Sequence, residues 1–105
     1  MAFSLEHLDE RLAERVKASP DESYTAKLLQ SGVDRCARKF GEEAIETIVS
    51  AVARDRTGVA NEAADVLYHL LVLLRAAEVP LSEVLAELER RTSQSGLEEK
   101  ASRTR

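Results

Sequence analysis

Two short acidic groupings, one near residue 43 and one near residue 63, carry the residue types most able to do chemistry. The first is Glu42, Glu43 and Glu46; the second is Glu62 and Asp65, with His69 one turn further on. On a helix each residue advances roughly 100°, so with Glu42 at zero Glu46 falls near roughly 40° and Glu43 near roughly 100°. Lys39 and Arg35 fall at roughly 60° and 20°, on the same arc. Ile45, Ile48, Val49 and Val52 take up roughly 240° to 340°, so the acids flank the apolar stripe expected to face the core. Glu62 and Asp65 lie roughly 60° apart, and His69 about 20° from Glu62. If the two segments pair as neighbouring antiparallel helices, Glu43, Glu46, Glu62 and Asp65 face one another. Four carboxylates so placed repel unless a cation joins them. Hard oxygen donors favour Mg²⁺, with Mn²⁺ as a substitute. A di-iron centre would need Glu-x-x-His on two helices, and Glu62 is followed instead by Asp65. A divalent ion beside basic side chains is equipment for phosphoryl or pyrophosphoryl chemistry. Spacing alone leaves open the plainer reading, in which both groupings are solvated helix faces.

The elements that must position these side chains are helical throughout. Leu5, Leu8, Leu12 and Val16 mark a first amphipathic helix, ended by the run Ala18 to Glu22. Ser23 is placed to cap a short helix from Tyr24 to about Gln30, punctuated by Gly32. A long helix follows from about Val33 to Arg54, then a turn at Asp55 to Gly58 and a fourth helix from Val59 to Ala77. Pro80 opens a fifth, Leu81 to about Arg91. Nothing alternates like a strand, so the expected fold is all-α, an antiparallel bundle of about five helices over residues 1–92. Residues 93–105 read as a mobile C-terminal tail. Within it, Ser95 and Gly96 form a hinge ahead of Leu97, and Lys100 and Arg103 could share a face and close over phosphates.

The chain has 105 residues, enough for one small domain. Its net charge of −4 gives no basic footprint for nucleic acid. No apolar run is long enough to span a membrane, and the N-terminal residues are too charged for a signal peptide. One cysteine, Cys36, rules out an internal disulfide or a Cys-rich zinc site and reads as a small buried residue. A cytoplasmic location is expected. Leu70 to Leu74 is an unbroken apolar run pointing all round its helix, so a partner subunit is expected to complete the burial.

Two segments carry a resemblance: Lys39-Phe40-Gly41-Glu42-Glu43-Ala44-Ile45-Glu46, and Asn61 through Leu71 with Glu62-Ala63-Ala64-Asp65 at its start. They resemble the signatures of the phosphoribosyl-ATP pyrophosphohydrolase family, within the MazG-like all-α nucleotide pyrophosphatases, whose pattern is Glu-x-x-Glu followed by Glu-x-x-Asp. The likeness extends upstream through Ser23-Tyr24-Thr25-Ala26-Lys27-Leu28-Leu29, downstream through Leu85 to Arg91, and into the tail, covering about residues 4 to 103. It implies a MazG-like bundle, a homodimer, Mg²⁺ dependence and hydrolysis of phosphoribosyl-ATP to phosphoribosyl-AMP and pyrophosphate, the second step of histidine biosynthesis.

On that basis Glu43, Glu46, Glu62 and Asp65 are the expected metal ligands, and Glu42, Glu43 and Glu46 the catalytic set. Glu42 is a candidate to order water, act as base or hold a second ion. Lys39, Lys27, Tyr24 and Arg35 are the substrate-binding candidates, although Lys39 could simply pair with Glu43 one turn on. His69 is expected to pack or hydrogen-bond and not to ligate. Gly41 costs its helix about 1 kcal/mol against Ala, which calls for a close backbone or phosphate approach. Two other functions fit parts of the pattern: a house-cleaning nucleoside triphosphate pyrophosphatase of the same superfamily, which the Ser23–Leu29 run speaks against, and a non-catalytic helical dimerisation module.

Overall fold

The computed structural model describes residues 2–93 and 96–103, and within them the chain forms six helices and no strand. They are α1 Leu5–Arg15, α2 Tyr24–Gln30, α3 Val33–Val52, α4 Arg56–Ala76, α5 Leu81–Thr92 and α6 Gly96–Arg103. No helix is long and apolar enough to cross a membrane.

Local chemistry sets most of the boundaries. Ser4 opens α1 with a reciprocal cap, its Oγ accepting from the His7 amide and its own amide donating to His7 Nδ1, both at 3.1 Å. Ser23 Oγ accepts from the Ala26 amide at 3.1 Å and starts α2. Gly32, at φ +97°, makes the corner that lets α3 begin directly afterwards. α3 stops where Arg54 takes a left-handed φ of 61°, and Glu78 ends α4 in the same way. α4 starts earlier than the Asp55–Gly58 turn suggested. Asp55 accepts from the Gly58 amide at 3.0 Å, so the apparent turn is a capped first turn of helix. The segment expected as a tail carries α6, which packs on α5; Ser95, part of the expected hinge, lies outside the described residues.

α3 and α4, joined through residues 53–55, run antiparallel and pack along their lengths as the backbone of the fold. The core lies at one end of this hairpin. There Leu12 of α1, Leu28 of α2, Cys36 of α3, Leu71 and Val72 of α4 and Leu81 of α5 bury one another, with Leu5, Leu8, Leu73, Leu74 and Leu85 around them. Cys36, 1% exposed, donates its thiol to the Leu28 carbonyl at 3.3 Å, and burial raises its pKa. The Leu70–Leu74 run is only part-buried: Leu71 and Val72 are enclosed, Leu70, Leu73 and Leu74 half so.

The other end of the hairpin departs from the sequence reading. Ile45, Ile48, Val49 and Val52 are 62, 60, 61 and 79% exposed, so among the described residues the stripe expected to face the core is left largely uncovered. Periodicity shows that these side chains share a face but does not say what covers it. The radius of gyration, 16.0 Å against about 13 Å for a compact chain of this length, reflects the projecting helices.

Candidate active site

α3 and α4 bring the two acidic groupings together. One carboxylate oxygen each from Glu43, Glu62 and Asp65 lies within 4.8 Å of the others. Glu46 sits against Glu62 from the α3 side, close enough for their carboxyls to interact. Burial raises the Glu43 pKa, and the charges of Glu46 and Asp65 push it further; burial also raises that of Glu62, with Glu46 next. Glu43 Oε2 is enclosed and has no hydrogen-bond partner. A buried carboxylate oxygen with no donor, on a residue clustered with two more carboxylates, is what a cation site would leave. The donor set is all hard oxygen, which fits Mg²⁺ or Mn²⁺.

The basic candidates divide. Lys39 Nζ pairs with Glu42 Oε1 at 3.3 Å, one turn on at i+3 and not with Glu43 at i+4. This bond raises the lysine pKa, with the neighbouring Tyr24 adding to the effect. Burial and, after it, the Lys39 charge lower the pKa of His69, so the lysine lies within electrostatic reach of the site. Arg35 is exposed two turns back along α3. Lys27 lines a separate hollow with Pro20, Glu22 and Gln30; Tyr24 borders that hollow and also the one containing Asp65. A Cβ placed on Gly41 would meet nothing within 4 Å, so no contact among the described residues demands glycine there.

The sequence match settles the family. A model of the phosphoribosyl-ATP pyrophosphohydrolase family matches residues 5–92. This chain belongs to that family. It is 61% identical over 102 residues to a phosphoribosyl-ATP pyrophosphatase of Agrobacterium fabrum, covering 97% of this chain and 95% of the relative. It is 60% identical to the enzymes so named from Rhizobium johnstonii and Dinoroseobacter shibae, over 101 and 99 residues. These alignments cover 96% and 94% of this chain, and 94% and 97% of the relatives.

The sequence pattern singles out Tyr24 and His69 but gives no role to Thr25 or Tyr68, which line the neighbouring cavity with them. His69 is 5% exposed and Thr25 2%, and Thr25 Oγ1 and Tyr68 Oη are 2.6 Å apart. The available signal was proximity: Tyr68 and His69 follow Asp65 by about one turn, and Thr25 lies inside the Ser23–Leu29 run.

Proposed function

We propose that this chain hydrolyses phosphoribosyl-ATP to phosphoribosyl-AMP and pyrophosphate, the second step of histidine biosynthesis. Mg²⁺ would be held by Glu43, Glu46, Glu62 and Asp65, with Mn²⁺ able to replace it. The observation that carries this reading is the clustering of Glu43, Glu62 and Asp65 carboxylate oxygens, with a buried, partnerless oxygen on Glu43, in a member of this family. Bound there, the divalent ion supplies neutralising charge and Lewis acidity to the phosphate oxygens.

The remaining work falls to the chain's own side chains. Lys39, held by Glu42, adds a cation at the edge of the acidic group, where it can meet a phosphate oxygen. Glu42 uses Oε1 for Lys39 and keeps its second oxygen to take the proton of an attacking water. Arg35 extends the positive edge along α3, and Tyr24 and Lys27 border the substrate from α2. The substrate is a small nucleotide; neither nucleic acid nor membrane is a partner, and the enzyme works in the cytoplasm.

The active form is a homodimer that covers the exposed α3 face with a second copy. Four large aliphatic side chains on one helical face, each at least 60% exposed, support this reading. Gly41, at roughly 260° on the α3 wheel between Ile45 and Ile48, is where a second backbone could approach closely.

Phosphoribosyl-ATP, dCTP and dUTP offered separately with Mg²⁺ test the substrate. Pyrophosphate release should be fastest from phosphoribosyl-ATP by orders of magnitude. Preference for either deoxynucleotide would replace this reading with a house-cleaning one.

A further inference from the structure

The carboxylate group can hold charge, but nothing in it recognises the organic part of a nucleotide. Beside it, sharing Asp65, lies a cavity of about 570 Å³ whose walls come from α1, α2 and α4. That volume is within the roughly 300–1,000 Å³ typical of small-molecule sites.

Its walls are aromatic and fixed. The rings of Tyr24 and Tyr68 lie 6.4 Å apart and nearly parallel, at 17°. His69 stands edge-on to both, 4.9 Å from Tyr68 at 83° and 6.4 Å from Tyr24 at 87°. The Thr25 hydroxyl, 2.6 Å from the Tyr68 hydroxyl, holds that ring in place. Tyr24 stays 53% exposed although the Ser23 cap anchors its helix, so it offers a ring face to a planar ligand.

One lining residue, His69, carries an unmet polar group. His69 is 95% buried, and its Nδ1 has no hydrogen-bond partner. Buried ring nitrogens are rarely left so unless a ligand or water completes them. Burial, with Lys39 nearby, lowers the His69 pKa. Charge then decides which part of a nucleotide fits. The cavity has one cation, Arg15, against the carboxylates of Glu22 and Asp65. With no excess of positive charge it offers little to a triphosphate, and it suits a base and sugar.

We propose that this cavity binds the nucleoside portion of the substrate, with the base stacked on Tyr24, His69 supplying a polar contact, and the phosphates crossing Asp65 to the carboxylate group. The proposal rests on the reading of the chain as a nucleotide pyrophosphohydrolase, and it makes Tyr24 and His69 recognition residues and not metal ligands.

Tyr24→Leu and Tyr24→Phe in the full chain test it, with AMP as the probe of the cavity and pyrophosphate as the probe of the carboxylates. Tyr24→Leu should raise KM for phosphoribosyl-ATP and the AMP inhibition constant by about ten- to a hundredfold, the usual range for one stacked base. Pyrophosphate inhibition and Mg²⁺ affinity should stay within about twofold, and Tyr24→Phe should restore both AMP inhibition and KM. His69→Gln should weaken AMP without changing Mg²⁺ affinity. Failure of wild-type protein to bind AMP, or a Leu variant that binds it normally, overturns the proposal. Wild-type protein that binds AMP in a Tyr24-dependent way, yet releases no pyrophosphate from phosphoribosyl-ATP, would leave the cavity standing and remove the assigned reaction.

Discussion

Ile48→Ala separates an interface residue from a core residue. Ile48 is 60% exposed in the protomer, so a partner that buried it fully would add about 60% of its transfer energy. Full burial of such a side chain is worth roughly 1.5–3 kcal/mol, which leaves about 1–2 kcal/mol for the second copy to supply. Alanine keeps part of that, so the loss is about 1 kcal/mol per copy and about 2 kcal/mol per symmetric dimer. The dimer dissociation constant should rise about 30-fold. Sedimentation equilibrium over a concentration series reads this directly, and melts of dilute, dissociated protein report the protomer. The protomer should lose little, since the side chain already faces solvent. An unchanged dissociation constant, or a protomer melting several degrees lower, would refute the reasoning.

Four other outcomes follow from single contacts. Gly41→Ala should strengthen α3 in the isolated protomer by up to about 1 kcal/mol and yet weaken self-association, read by melts and sedimentation. Asp55→Ala should remove the α4 cap and cost about 1 kcal/mol, a fall of about 4–8 °C in Tm by calorimetry. Arg90 and Arg91 hold the Glu87 carboxyl at about 2, so its stabilising contribution is complete above its ordinary value of 4.5 and is lost as pH falls through about 2. NMR titration should find that low value, and Arg90→Ala with Arg91→Ala should return it toward 4.5. Truncation after Arg91, which removes α6, should raise KM more than it lowers Tm, and the effect should shrink in high salt.

The helices and the acidic pairs were legible because each rests on local information. The Ser23 cap, the Gly32 corner and the i, i+3 spacing of Glu62 and Asp65 lie within a few residues of sequence. The Asp55 cap was available too, but Gly58 three residues later read as a turn, because a glycine in the first turn of a helix looks like a breaker. The exposed α3 stripe was not legible as such, since the 3.6-residue period is the same whether the stripe faces the chain's own core or another molecule. The aromatic cavity depends on α1, α2 and α4 meeting, a long-range arrangement that no local pattern reports. The arc shared by Glu43 and Glu46 could not show that Glu43 would be the more enclosed and Glu46 the neighbour of Glu62, because relative depth depends on how α4 packs.

Pyrophosphate release from phosphoribosyl-ATP, followed while Mg²⁺ is titrated into wild-type and Asp65→Asn protein, tests the central claim most directly. Asparagine keeps the shape of the side chain but loses the charge that helps hold the ion. Wild-type release should be absent without the metal and rise to saturation with it, and the folded Asp65→Asn protein should release essentially none. Metal-independent release by wild-type protein, or near-normal release by Asp65→Asn, would contradict the account.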